Sequence, residues 1–150
     1  MCRITAALAV AVLLVACGPR DDAAPEPADQ PAATAAPSIA GLAGTWEMMA
    51  TLDGTPDPVP STLHGTADSD RWTMDLEGRP GIPLHVSIVG DSLVAQSEEY
   101  ESVLRPGVMV TTRTASVLQD GMLVGNLVAT YRTDAGEQAV RGTTRATRVR

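Results

Sequence analysis

The sequence predicts an all-β protein in which about eight short strands form an antiparallel up-and-down meander barrel, preceded by a signal peptide and a disordered linker. Three observations lead to this fold class. Apolar and polar residues alternate in eight runs after residue 40, as they do in half-buried strands. Turn-forming pairs such as Gly90-Asp91 and Asp120-Gly121 separate several of these runs. No helical periodicity of useful length follows residue 16, and a length of 150 residues suggests one domain.

The first 16 residues have the organisation of a secretory signal peptide. Arg3 places a positive charge near the N-terminus, and an uncharged run of about 11 residues continues to Ala16. This run is shorter than the roughly 20 apolar residues that span a bilayer. The segment Leu14-Val15-Ala16-Cys17 resembles a bacterial lipobox. The resemblance implies cleavage before Cys17 and acylation of this residue by groups such as palmitate, which would anchor the protein in a membrane.

The residue that follows the lipobox indicates the membrane to which a lipoprotein is sorted. In lipoproteins of Gram-negative cells, an aspartate there is associated with retention at the inner membrane, whereas this chain has Gly18. The same resemblance therefore implies the periplasmic face of the outer membrane in a Gram-negative cell, and otherwise the outer face of the cytoplasmic membrane. The alternative to a signal peptide is a short buried helix that contains a cysteine by chance.

Residues 17–40 are predicted to contain the lipidated Cys17 and a tether. The stretch 19–38 consists mainly of proline, alanine and acidic residues and has no large apolar side chain. Such a segment buries too little apolar surface to offset the entropy lost on ordering, which predicts a disordered, partly polyproline linker. A binding segment for a proline-recognising domain is the alternative.

Residues 41–150 form the predicted barrel domain. Its eight alternating runs lie at residues 45–52, 62–68, 71–77, 83–89, 92–99, 107–118, 122–132 and 138–149. An even number of strands in a meander makes the first and last strands antiparallel, so the sheet closes without exposed edges. A barrel of eight strands encloses room for side chains or for one small ligand.

The two ends of this domain carry a family resemblance. Gly44-Thr45-Trp46 opens the first run, and Arg148 lies near the end of the last run. They resemble the first and last strands of the calycins, the lipocalin-like and avidin-like barrels, in which a basic residue of the last strand often packs over the first-strand tryptophan. The chain as a whole resembles small barrel-bearing lipoproteins without an assigned activity. We predict that Arg148 stacks on Trp46 as a structural closure, that Gly44 leaves room for this approach, and that Arg145 points outward.

Four inward residues are candidates for lining a ligand pocket: Met48, Trp72, Met74 and Tyr131. The lipocalin-like resemblance implies that such a pocket would hold a small apolar ligand. Core packing is the alternative for Trp72, and we favour it for both Trp72 and Trp46, since large aromatic residues mainly supply buried area.

The charged residues narrow the range of functions. All 11 basic residues are arginines, against 18 acidic residues, and the formal net charge is −7. This balance argues against binding to nucleic acid, which requires a basic surface. His64 and His85 are expected to point outward from different strands, so we predict no metal site. Neighbouring strand residues point to opposite faces, so the glutamates around Tyr100 are expected to form a solvated acidic loop rather than an acid–base pair.

The functional expectation follows from these patterns. No Gly-x-Ser-x-Gly segment and no glycine-rich phosphate loop is present in the sequence. We therefore expect a protein without catalytic residues or a cofactor: a membrane-anchored envelope lipoprotein that binds a small apolar ligand. The alternative is a structural or interaction module with a filled barrel that contacts another envelope component, and an enzyme ranks last. The sequence carries no signal for an oligomeric state.

Overall fold

The structure is a computed structural model and describes residues 36–149. The predicted signal peptide, Cys17 and most of the predicted tether lie outside the described residues. The described chain begins with one short helix, α1 (Ile39–Leu42), which nine strands follow. The strands are β1 Gly44–Leu52, β2 Val59–Gly65, β3 Trp72–Leu76, β4 Arg79–Val89, β5 Ser92–Ser97, β6 Tyr100–Glu101, β7 Met109–Gln119, β8 Met122–Thr133 and β9 Gly136–Arg148. Within residues 36–149, no helix is long and apolar enough to cross a membrane.

Eight of these strands form a closed antiparallel barrel, which confirms the predicted fold class. Strands β1 to β5 pair in sequence order, β5 pairs with β7, and β7, β8 and β9 pair in order. The barrel closes where β1 pairs with β9, with Trp46 opposite Arg148 and Leu52 opposite Gly142. The even number of barrel strands allows this antiparallel closure.

Alternation along the strands separates the inside of the barrel from the outside. In β1, the buried residues are Trp46, Met48, Ala50 and Leu52, and the three residues between them are exposed. A shift of one residue in the pairing would turn this apolar set toward water, so the alternation also fixes the register. The predicted inward face of the first strand is therefore confirmed.

The buried residues form two clusters along the barrel axis. One surrounds Trp46 and Trp72, each 1% exposed, where β1 begins and β9 ends. We call this the closed end. The other contains Leu52, Ala129 and Tyr131 at the opposite end, which we call the open end. The cavity described below lies where the two clusters meet.

The helix α1 was not expected from the sequence, because four residues are too few to show a helical period. Ser38 caps it, since its hydroxyl accepts a hydrogen bond from the Gly41 amide at 3.1 Å. Ile39 packs against the closed-end cluster. The last two residues of the predicted tether, Ile39 and Ala40, therefore belong to the folded part of the chain.

Two strand predictions need correction. The second run was expected to continue to residue 68, but β2 ends at Gly65 and Ala67 is exposed. The predicted acidic loop around Tyr100 instead contains β6, in which Tyr100 lies opposite Val110 of β7. Burial of the tyrosine ring accounts for this short strand, because the ring packs against the apolar residues of both clusters.

Candidate functional site

A cavity lies inside the barrel, toward the open end. Its volume is about 70 Å³, and every side chain that lines it is uncharged. The lining comes from β1, β2, β3, β4, β5, β6, β7 and β8, and from three residues that follow β6. The space is therefore bounded by many strands together and not by any one of them.

Three of the four predicted lining residues lie at this cavity: Met48, Met74 and Tyr131. Trp72, the fourth predicted lining residue, is not among the residues that line this cavity. Its indole lies in the closed-end cluster, where Nε1 donates a hydrogen bond to the Thr66 carbonyl at 2.8 Å. A Cβ on Gly65 would lie 2.7 Å from the ring, so the missing side chain of Gly65 makes room for it. The favoured core role of Trp72 is thus confirmed.

Sequence reasoning missed that small side chains open the cavity. Ala50, Ala95 and Ala129 line it from β1, β5 and β8. The signal was present in the alternation, which places all three alanines inside. Whether the neighbours fill the space beside them depends on the three-dimensional packing.

Polar groups also face the cavity, namely Ser61, Tyr100, Ser102, Thr112 and Thr114. Burial raises the pKa of Tyr100 to about 12, and its hydrogen bond with Thr112 acts in the opposite direction. The phenol is therefore neutral at physiological pH. These groups provide hydrogen-bonding sites in a lining that carries no charge.

A loop at residues 102–108 connects β6 to β7 at the open end, and Ser102, Val103 and Leu104 line the cavity from it. We call this segment the lid loop. The Arg105 guanidinium lies 4.2 Å from the centroid of the Tyr131 ring and donates a hydrogen bond to Gln138 at 2.6 Å. These two contacts connect the lid loop to β8, which contains Tyr131, and to β9, which contains Gln138.

Glu101 fastens the base of the lid loop. Its carboxylate accepts a hydrogen bond from the Gly107 amide at 2.8 Å and pairs with Arg79 at 2.9 Å. The Gly107 amide, followed by Arg79, lowers the pKa of this carboxyl. Glu101 therefore stays ionised and holds the two ends of the loop together.

The closed end shows the predicted contact between the first and last strands. The Arg148 guanidinium lies 4.6 Å from the centroid of the Trp46 ring, and its Nη2 donates to the Gly41 carbonyl at 2.8 Å. The Trp46 indole donates to the Leu42 carbonyl at 3.0 Å. Both side chains thus satisfy carbonyls of α1, which would otherwise lack partners at the helix end.

The role of Gly44 differs from the predicted one. A Cβ at this position would lie 3.8 Å from Arg148 Nη1, which is an ordinary contact distance, so space is not the reason for a glycine. Its φ angle is +137°, a conformation that side-chain-bearing residues rarely adopt. Gly44 therefore turns the chain from α1 into β1.

The remaining candidate groups lie outside the barrel. His64 is 3.0 Å from Asp75, whose pKa is lowered first by the Gly81 amide and then by His64. His85 is exposed, 3.7 Å from Asp70 and 3.9 Å from Glu98. In the part of the chain that the structure describes, no group of three or more histidine, cysteine or acidic residues is placed to hold a metal ion.

The glutamates around Tyr100 diverge from one another. Glu98 lies near His85, Glu99 accepts a hydrogen bond from Arg132 at 2.6 Å, and Glu101 is directed to the lid loop. Cys17, the predicted lipidation site, lies outside the described residues. No protein-family model, curated protein or solved structure matches the chain.

Proposed function

We propose that this protein is an envelope lipoprotein whose barrel binds a small apolar ligand. The observation that supports this proposal most directly is the uncharged cavity inside the barrel. Pockets for small molecules are concave, are lined mainly by apolar side chains and contain a few polar groups that orient the ligand. The cavity combines these features, with Met48, Met74 and Tyr131 as apolar surface.

The size of the cavity limits the shape of the ligand. Its volume of about 70 Å³ is roughly half that of an apolar cavity of about 150 Å³ that admits benzene. A ring system would therefore require the lid loop to move. A six-carbon aliphatic chain also exceeds this volume, but it is thinner than a ring, so one end of it could fill the cavity while the rest extends past the lid loop.

In this proposal the lipid on Cys17 holds the barrel at a membrane surface, where apolar molecules concentrate. Residues between Cys17 and α1 would act as the tether. The barrel acts as a binding module and carries out no reaction.

Filling the cavity tests the proposal. Ala129 is 2% exposed and lines the cavity from β8, so Ala129→Leu should abolish binding of n-hexane measured by NMR titration. Ala139→Leu is the matched control, because Ala139 is exposed on the neighbouring strand β9. Ala129→Val provides a smaller step, and thermal unfolding of each variant verifies that it is folded. Equal hexane binding by the Ala129 and Ala139 variants would contradict an interior site.

A second candidate function is a filled barrel that contacts another envelope component. The observation that favours it is the set of exposed apolar side chains at the closed end: Val89, Leu118 and Val149. Larger exposed apolar surfaces often mark interaction sites. Under this alternative the wild-type protein does not bind n-hexane, and Ala129→Leu raises stability because it fills unused space.

A further inference from the structure

The buried polar residues of the barrel differ in whether their hydroxyl groups have hydrogen-bond partners. They are Ser61, Ser97, Ser102, Ser116 and Thr144. Ser97 accepts a hydrogen bond from the Thr112 amide at 2.8 Å, and Ser102 accepts two from amides of the lid loop at 3.1 Å. The hydroxyls of Ser116 and Thr144 lie 3.5 Å apart. Among the described residues, only the Ser61 hydroxyl is a buried side-chain group without a hydrogen-bond partner.

The position of Ser61 connects this hydroxyl to the cavity. Ser61 is 8% exposed and lines the cavity from β2, opposite Met48 of β1 and Leu76 of β3. A buried hydroxyl that lacks a partner is unfavourable, and native proteins rarely retain one without a reason. A hydroxyl that both donates and accepts hydrogen bonds is well suited to hold a polar group of a ligand.

The charge of the lining limits what this polar group can be. No ionisable base lines the cavity, and the Arg105 guanidinium of the lid loop is directed to the Tyr131 ring and to Gln138. A carboxylate placed beside Ser61 would therefore be buried without a cation, which is strongly unfavourable. A neutral oxygen group avoids this penalty and still forms the hydrogen bond.

We propose that the ligand is an unbranched aliphatic chain with one neutral oxygen group, an alcohol or a carbonyl, that hydrogen-bonds to Ser61 Oγ inside the cavity. The chain itself packs against Met48, Met74 and Ala129. This inference rests on the proposed ligand-binding function, since it names the class of ligand and the residue that selects it.

Three six-carbon probes test the inference: 1-hexanol, n-hexane and hexanoate. They are titrated against the full chain carrying Cys17→Ala, which keeps competing acyl chains out of the sample. The Ser61→Ala variant should bind 1-hexanol about 3- to 10-fold more weakly than the protein with Ser61, because it loses one hydrogen bond. Its affinity for n-hexane should remain unchanged. Hexanoate at pH 7 should bind more weakly than 1-hexanol.

Ser116→Ala is the matched control, because Ser116 is a buried barrel serine that is not part of the cavity lining. It should leave the affinities for both 1-hexanol and n-hexane unchanged. Thermal unfolding verifies folding, and Ser61→Ala should remain folded because its hydroxyl has no protein partner to lose.

The binding results distinguish failure of the proposed function from failure of the proposed role of Ser61 or of the proposed head group. Binding of neither n-hexane nor 1-hexanol to the protein with Ser61 overturns the proposed function, and the inference with it. Equal loss of 1-hexanol affinity in the Ser61 and Ser116 variants, or no loss in either, overturns the role of Ser61 alone. Tighter binding of hexanoate than of 1-hexanol overturns the neutral head group while leaving the ligand-binding function intact.

Discussion

The closure between the first and last strands gives a quantitative prediction. Arg148→Ala removes the guanidinium that lies 4.6 Å from the centroid of the Trp46 ring and its hydrogen bond to Gly41. A cation–π contact contributes about 0.5–1 kcal/mol at an exposed site and about 2 kcal/mol when it is shielded from water. Trp46 is buried but Arg148 is exposed. Solvent therefore screens the hydrogen bond from Arg148 to Gly41, and we count its contribution to the free energy of unfolding as small.

The packing of the arginine stem on the indole adds to this contact. We therefore expect Arg148→Ala to lower the free energy of unfolding by roughly 1 to 2 kcal/mol. For a domain of this size, that change corresponds to a decrease of about 4 to 8 °C in the thermal midpoint. Urea unfolding and calorimetry measure both quantities.

Arg145→Ala is the matched control, because Arg145 is an exposed arginine on the same strand, opposite Met49 of β1. It should change stability by no more than about 0.5 kcal/mol. Arg148→Lys should be intermediate, since lysine keeps the charge but loses the planar group that stacks on the ring. If Arg148→Ala lowers stability no more than Arg145→Ala does, the contact between Arg148 and Trp46 does not stabilise the closure.

Three further predictions concern other parts of the chain. Cys17→Ala should abolish metabolic labelling by a palmitate analogue, and equal labelling of variant and wild type would exclude Cys17 as the acylated residue. Deletion of residues 21–35 should leave the thermal midpoint unchanged, because that composition supplies no large apolar side chain for packing; the deletion spares Ser38, which caps α1. The folded-state pKa of Tyr100 is raised from 10.0 to about 12. The unfolded chain therefore releases this proton first, and stability should fall as pH rises from about 10 to about 12. Tyr100→Phe should remove that part of the alkaline loss in urea unfolding, and an identical alkaline profile would contradict the burial of the phenol.

Features that depend on local alternation were predictable from the sequence. The pattern from Trp46 to Leu52 identified the inward face of β1, and the antiparallel closure followed from an even number of strands. The same alternation placed Arg148 beside Trp46, because the end of the last strand must lie next to the start of the first. Each of these conclusions requires only the period of a strand and the direction of its neighbours.

Two kinds of feature were not predictable from the sequence. One is the position of a side chain along the barrel axis, and the other is the space that several side chains together leave unfilled. Alternation placed Trp72 inside, but its depth along the barrel axis depends on the hairpins that connect β2, β3 and β4. The cavity beside Ala129 exists because several strands contribute small or polar residues to its lining, which no single strand reveals. Ser61 was missed for a related reason: its lack of a partner is a property of everything that surrounds it.

A barrel that carries an aliphatic ligand in its interior should retain this ligand when the protein is purified. Native mass spectrometry of the protein purified from its own host detects such a ligand, with Ala129→Leu protein from the same host as reference. We expect a wild-type species with the additional mass of a neutral aliphatic molecule, released on collisional activation and missing from the Ala129→Leu protein. A wild-type spectrum without any additional mass, or an adduct retained equally by the Ala129→Leu protein, would show that the barrel does not hold an aliphatic ligand in its interior.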